Sequence, residues 1–383
     1  MGSSASTGGN ESGSVTASAP PPNAQRDGPR DLSVLDGALG SQPLRIPPPL
    51  LDWCANIYLA FAAEALGRIE GDGQVQGKYV DRLSPADKRA FQTRRRCSFS
   101  WMTDTTTLAV VRQGIAPNLE DGANALYNIV VAVVVLNSRA RYEALAPLSL
   151  AAPITANDFK AKFEPLFGRR APPGALLQAV RCTLGRYGAG NHFENSARFV
   201  EDMGGKCAAA WAKIDAARQV GGTSAAVLKV LRKDLGLGPF SSVVAARLLS
   251  VLDQRLFDCE RADLGQYARM GLGLLAGMDS KRARELSTKK ARAREANALF
   301  EQLREELPAA VRGPDDDCVM QRLHAYSLMP LAGQTLEHML CETRKIMVPS
   351  GRERGGSRTA QDEYQALWQV ARHLYSARAA RLP

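Results

Sequence analysis

The sequence predicts an all-α protein, and three observations carry the prediction. Beyond residue 45, apolar side chains recur at helical spacing in one segment after another. Glycines and prolines sit where helices stop and start. No strands alternate with helices as a doubly wound sheet requires, and no repeat recurs at a fixed period. With 383 residues, 45% of them hydrophobic, the chain can bury one large core or two smaller helical lobes.

Residues 1–45 are Ser, Gly, Ala, Pro and Asn with almost no aromatics. Such a stretch buries too little apolar surface to offset its ordering entropy, so a disordered N-terminal tail is expected. The stretch "RIPPPLLDW" opens the fold. Pro47 to Pro49 precede Leu50, Trp53, Cys54, Ile57, Tyr58 and Phe61 at helical spacing. Ser84-Pro85 starts a polar helix running into Arg94, Arg95 and Arg96, and Thr103-Asp104 caps the next. Residues 121–145 read as one helix with a wholly apolar middle, hence central and buried. Its valine run also suits a buried strand. Further helices are expected near 156–167, 175–187, 194–203, 206–218 and 223–232. Others follow at 243–254, 264–276, 281–307, 333–347 and 360–379. The expected organisation is a helical domain over 46–358, with residues 359–383 forming a C-terminal helix that packs on it.

Charge narrows the partners. The chain has 49 Lys+Arg against 39 Asp+Glu and a pI near 9.4. That balance suits a polyanion, nucleic acid or an acidic membrane surface, as well as an ordinary basic soluble protein. The seven cysteines are scattered, with no C-x-x-C pair. A disulfide framework, a zinc site or an iron–sulfur site is therefore not expected, and a reducing intracellular compartment fits. No apolar signal-peptide core opens the chain, and the longest apolar run, Ile129 to Leu136, is far shorter than the ~18 residues of a membrane span. No membrane, metal or cofactor is expected.

Four stretches can carry function. In "DLGLGPFSSVVAARLL", Asp234 to Leu249, Gly236 and Gly238 either end one helix before Pro239 starts another or turn backbone N–H groups toward a DNA phosphate. The helix at 281–307 opens with Lys281, Arg282 and Arg284, then Lys289, Lys290, Arg292 and Arg294. Cations in a first turn oppose the helix dipole, so a phosphate backbone accounts for them better than local stability, although acidic residues further along also fit a solvated helix. Arg94 and Arg95 beside Trp101 form a second basic and aromatic cluster. In "TLEHMLCETRK", residues 335–345, His338 and Glu342 share one helix face and Glu337 and Cys341 its neighbour. That pattern offers an acid–base pair and a thiol–carboxylate pair. It equally describes a surface hydrogen bond and a core cysteine. A P-loop, a G-x-S-x-G elbow and metal-ligand histidine spacing do not occur, which disfavours an ATP-dependent kinase and a serine hydrolase.

Together these stretches resemble a known family. "LGLGPFSSVVAARLL" resembles the helix-hairpin-helix of DNA glycosylases, with Gly236, Gly238, Pro239, Phe240, Ala245 and Ala246 in or near its places. Closer is the set of glycosylase-related helical proteins comprising the alpha-glutamyl/putrescinyl thymine pyrophosphorylases and the helical domain named after 5-hydroxymethyluracil DNA kinase. The matching stretches are "WMTD" (101–104), "LNSRARYEAL" (136–145), "GQYARMGL" (265–272) and "LEHMLCE" (336–342), in the family's order. Tyr267 and Met270 depart from the family's Gly-Pro-Gly-Ala-Arg-Arg pattern.

The resemblance implies a helix-hairpin-helix, glycosylase-like fold and a modified thymine in DNA as substrate. The substrate would be 5-hydroxymethyluracil or its pyrophosphorylated derivative, with an amine displacing pyrophosphate. It implies that Gly236 and Gly238 hold phosphate, that Arg269 assists at the pocket, and that His338 with Glu337 handles protons, Cys341 and Glu342 lying beside them. The glycosylase comparison also puts an aspartate ~20 residues past the hairpin, where a carboxylate can stabilise an oxocarbenium-like transition state. Asp258 and Asp263 are both within reach, as catalysts or as helix caps. Pro239-Phe240 stands where bifunctional glycosylases carry their lysine, so no lyase step is expected. A monofunctional glycosylase and a non-catalytic reader of modified bases are the alternatives. DNA as partner places the protein inside the cell, and in the nucleus if the cell is eukaryotic.

Overall fold

Helix α1 (Pro48–Glu70) starts with two prolines in its first turn, where a missing N–H costs no helical bond. Between Cys54 and Leu66 it is buried on nearly every side, as expected of a helix apolar all round. The computed structural model describes residues 48–93, 100–135, 138–167, 192–221, 224–259, 289–311, 314–328, 333–335, 338 and 361–379. Among these residues the regular structure is helical, with no strand. The expected tail and the helices predicted at 175–187 and 264–276 lie outside the described residues.

Caps set the next helices. Asp72 accepts from Gln74 N at 2.9 Å and starts α2 (Gly73–Val80). Ser84 accepts from Asp87 N at 3.2 Å and starts α3 (Pro85–Thr93). Asp104 accepts from Thr106 N and Thr107 N at 2.9 and 3.0 Å, capping α4 (Thr105–Val110) as the sequence indicates. A π-turn (Val111–Ile115) follows, crowded enough that a Cβ on Gly114 would sit 2.4 Å from the Tyr142 hydroxyl.

The single helix expected over 121–145 is instead two, α5 (Gly122–Val134) and α6 (Arg139–Leu145). Val135 leaves the helical region at ψ 25°, after a run of β-branched residues that crowd a helix, and Ser138 precedes the restart. The buried Asn128 then holds α6 against α5. It donates to Leu148 O at 3.1 Å and accepts from the Tyr142 hydroxyl at 2.9 Å. The valine run is helix, not strand.

After α7 (Ala156–Phe163), the two helices expected at 194–203 and 206–218 are one, α8 (His192–Gln219). The Gly204-Gly205 pair does not break it. A Cβ on Gly204 would lie 2.5 Å from Pro153 Cβ, so the glycine serves close packing rather than a stop. There follow α9 (Ser224–Lys233), α10 (Pro239–Leu252), α11 (Lys289–Ala310), α12 (Pro314–Ala325) and α13 (Gln361–Ala379).

Two centres organise the packing. Helix α1 lies against α2, α11, α12 and α13, while α5 lies against α8 and α10. Helix α13 reaches both, touching α1, α4 and α10. It is fixed there by the Tyr375 hydroxyl donating to Met102 O at 3.2 Å, by Arg68 4.2 Å over the Tyr364 ring, and by an Arg139–Glu363 ion pair. One continuous cluster of buried side chains runs through both centres, within the unit Pro43–Pro383.

Candidate functional site

The five residues joining α9 to α10 are tied back onto α9. Asp234 N and Leu235 N both donate to Val230 O, at 2.9 and 3.3 Å, and Leu237 N reaches Leu231 O at 3.0 Å. Leu235 and Leu237 are buried and anchor the turn. Between them Gly236 takes φ 71°, the left-handed region that a side chain resists. Gly238 does not: its φ is −65°, ordinary extended backbone at the N-cap of α10. The N–H groups of Gly236 and Gly238 bond to no described residue, and Pro239 follows at the first helical position.

The flank of this turn is basic. Arg232 Nε donates to the buried Ser242 Oγ at 3.0 Å and so links the two helices, leaving its Nη2 buried without a hydrogen-bond partner among the described residues. Lys229 and Lys233 are exposed on α9. The one acid in the turn, Asp234, is held by Lys213 of α8 at 3.0 Å. The local field at the turn is therefore positive.

A second, buried polar cluster lies further along α10. Arg247, 5% exposed on an otherwise apolar stretch, donates through Nε to Gln334 Oε1. Gln334 is fully buried, and its backbone N–H donates to Cys259 O at 3.0 Å. Ser250 Oγ donates to Arg247 O at 2.7 Å and lies 3.3 Å from Cys259 Sγ. Thr335 Oγ1 lies 3.5 Å from Ser100 Oγ, and Ser100 forms a capping box with Thr103 over the turn Trp101–Thr103. The cluster thus joins α10, the turn that carries "WMTD", and the residues just before "LEHMLCE". His338 is half-buried one turn after Gln334.

Of the residues expected to act, only some fall on described structure. Asp258 is exposed, and its N–H donates to Ser224 Oγ at 2.8 Å at the start of α9. Asp263, Arg269, Glu337, Cys341, Glu342, Arg94 and Arg95 lie outside the described residues. Lys289, Lys290 and Arg292 stand in the first turn of α11, where the backbone alone is described. Sequence reasoning misses Arg247 and Gln334. A lone arginine inside "VVAARLLS" is the available signal.

Asp253, also outside the sequence-based expectation, has no free capacity for catalysis. Burial works against its charge, yet Arg255 and Arg218 together hold its carboxyl below the ordinary value of 3.8. It accepts from Arg255 Nε at 3.0 Å and Arg255 N at 2.9 Å, and from Arg218 at 3.3 Å. Burial pushes the Cys54 and Cys207 thiols up to about 12, so neither is a nucleophile near neutral pH. Among the described residues no group of His, Cys, Asp and Glu could hold a metal ion, and no helix is long and apolar enough to cross a membrane.

No known family model matches the chain, and no curated protein or solved structure is similar to it, so the likeness to thymine pyrophosphorylases and glycosylases rests on the quoted motifs.

Proposed function

We propose that the chain binds DNA through the α9–α10 turn, as a helix-hairpin-helix protein of the glycosylase type, and acts on a modified thymine. The observation that supports this best is the turn itself. Gly236 is left-handed, two glycine amides bond to no described residue, and Lys229, Arg232 and Lys233 stand in the last two turns of the helix just before them. Backbone N–H groups ahead of a helix N-terminus suit a phosphate oxygen, and the cations add attraction that is independent of sequence.

The chemistry proposed is replacement of pyrophosphate by an amine on an extruded base. The amine nitrogen bonds to the 5-methylene carbon, the C–O bond to pyrophosphate breaks with its electron pair leaving on oxygen, and the amine gives up a proton. His338, paired with Glu337, takes that proton in this reading, and Arg269 steadies the departing pyrophosphate. Support for these roles comes from the "LEHMLCE" likeness and from the hydrogen bonds that tie the preceding residues to α10 and Cys259.

Duplexes carrying thymine, 5-hydroxymethyluracil or its pyrophosphorylated form, incubated with a diamine and read by nucleoside mass spectrometry, test the proposal. On the pyrophosphorylated duplex, release of pyrophosphate and an amine-bearing base heavier than 5-hydroxymethyluracil but lighter than the pyrophosphorylated one are expected. An abasic product would instead make the protein a glycosylase using Asp258 or Asp263. Retention without change would make it a reader, and failure to retain any duplex would remove the DNA reading altogether.

A further inference from the structure

We infer that Gln334, oriented by Arg247, is the residue that selects a carbonyl-bearing pyrimidine over an amino-bearing one; the inference rests on the DNA-base reading above. A carboxamide offers two N–H donors on nitrogen and an acceptor oxygen. Here Oε1 is committed to the Arg247 Nε–H. Reversing the amide would set N–H against N–H, so its orientation is fixed by chemistry rather than by choice. The backbone N–H of the same residue is tied to Cys259 O at 3.0 Å, which holds the peptide as firmly as the side chain.

What remains is Nε2, on a residue that is 0% exposed, and among the described residues it has no hydrogen-bond partner. Buried donors in native proteins are nearly always satisfied, so an orphan of this kind points to an acceptor that arrives with a ligand. Its position suits that role. Gln334 is bonded to Arg247 of α10, its neighbour Thr335 lies 3.5 Å from Ser100 before the Trp101–Thr103 turn, and His338 follows one helical turn later.

Because Oε1 is already used, only the N–H groups of Nε2 are left for a ligand, and they can only donate. A thymine-type base presents its O4 carbonyl, an acceptor, where a cytosine-type base presents an amino group, a second donor. Shielded from water, a donor left facing another donor discriminates strongly.

Fluorescence anisotropy of the full chain on short duplexes tests this. The duplexes differ at one position: 5-hydroxymethyluracil, 5-hydroxymethylcytosine or unmodified thymine. The wild type should favour 5-hydroxymethyluracil over 5-hydroxymethylcytosine by about tenfold, the scale of one good hydrogen bond to a base edge. Gln334→Glu replaces that donor with an acceptor and keeps a partner for Arg247. It should abolish or reverse that ratio, and affinity for the thymine duplex, whose base presents the same O4 acceptor, should fall alongside that for 5-hydroxymethyluracil. Gln334→Met, equal in length and unable to donate, should abolish the ratio without reversing it, and it serves if the glutamate variant does not fold. A ratio unchanged in either folded variant, or no preference in a wild type that binds the unmodified duplex, overturns the inference and leaves DNA binding intact. A wild type that binds none of the duplexes overturns the DNA reading and this assignment with it.

Discussion

Two glycines two residues apart look equivalent in the sequence and are not equivalent in the fold. Gly236→Ala forces a side chain into φ 71°, a cost of about 1–2 kcal/mol, and should lower the melting temperature by a few degrees and weaken DNA binding at fixed salt. Gly238→Ala meets no atom within 4 Å at φ −65°, so its stability should stay within about 0.5 kcal/mol. If phosphate approaches the turn, the added methyl should still reduce affinity; thermal melts alongside anisotropy separate the two effects. Asp253 supports a pH prediction. Its carboxyl is depressed below 3.8 in the folded chain, so the unfolded chain binds the proton more tightly. The stabilisation is complete above about pH 4 and fades as pH falls through the lower, folded value. Asp253→Asn should therefore melt below wild type at neutral pH, the gap narrowing in acid; a gap independent of pH would deny the linkage. The turn is legible because Gly-x-Gly-Pro is a backbone signal carried by consecutive residues. Arg247 and Gln334 are not, since 87 residues separate them and no local pattern reports a long-range pair.

At the level of elements, the legible helices are those with a cap or a proline at their start, α1, α3 and α4 among them. What the sequence misjudges are interruptions. Gly204-Gly205 reads as a stop by propensity, at roughly 1 kcal/mol per glycine, but the helix continues and Gly204 lets Pro153 approach where a Cβ would clash. The apolar run Ile129 to Leu136 reads as continuous helix, yet α5 ends at Val134 and α6 starts at Arg139, with the Tyr142 hydroxyl donating to Asn128 of α5. Helix α12 escapes notice even though Pro314 and three aspartates form an N-terminal start signal, because its apolar stripe is short. Helix α13 matters most to the fold. It buries Tyr364, Leu367, Trp368, Ala371 and Tyr375 against α1, α4 and α10. A chain ending before Gln361 would expose the facing core. It should bind a hydrophobic dye strongly and lose its near-ultraviolet circular dichroism, and a truncated chain that melts like wild type would make α13 an accessory. A milder probe is Tyr375→Phe, which strands the Met102 carbonyl and should cost about 1–2 kcal/mol.

Across the whole molecule, one core carries two separate basic features, and salt can tell them apart. The hairpin rides on the α5 centre and helix α11 on the α1 centre, where Leu303 and Leu307 of its C-terminal half and Val311 just beyond it are buried. The formal net charge of +10 alone predicts attraction to any polyanion, so bare affinity decides little. The slope of log K against log salt is more informative, because each phosphate neutralised contributes about −0.9. Neutralising Lys289, Lys290 and Arg292 should flatten that slope by about three units, equally for every duplex sequence, if each meets a phosphate. Gly236→Ala should instead weaken binding with almost no change of slope, since a backbone N–H carries no net charge and releases few counterions. Combining the variants then reports geometry. If α11 and the hairpin hold different phosphates, their effects on log K add, as those of distant and independent sites do. A combined loss well short of the sum would mean that both features grip one stretch of backbone, and an unaltered slope in the triple variant would leave α11 facing solvent and the hairpin as the sole DNA-binding feature of the two.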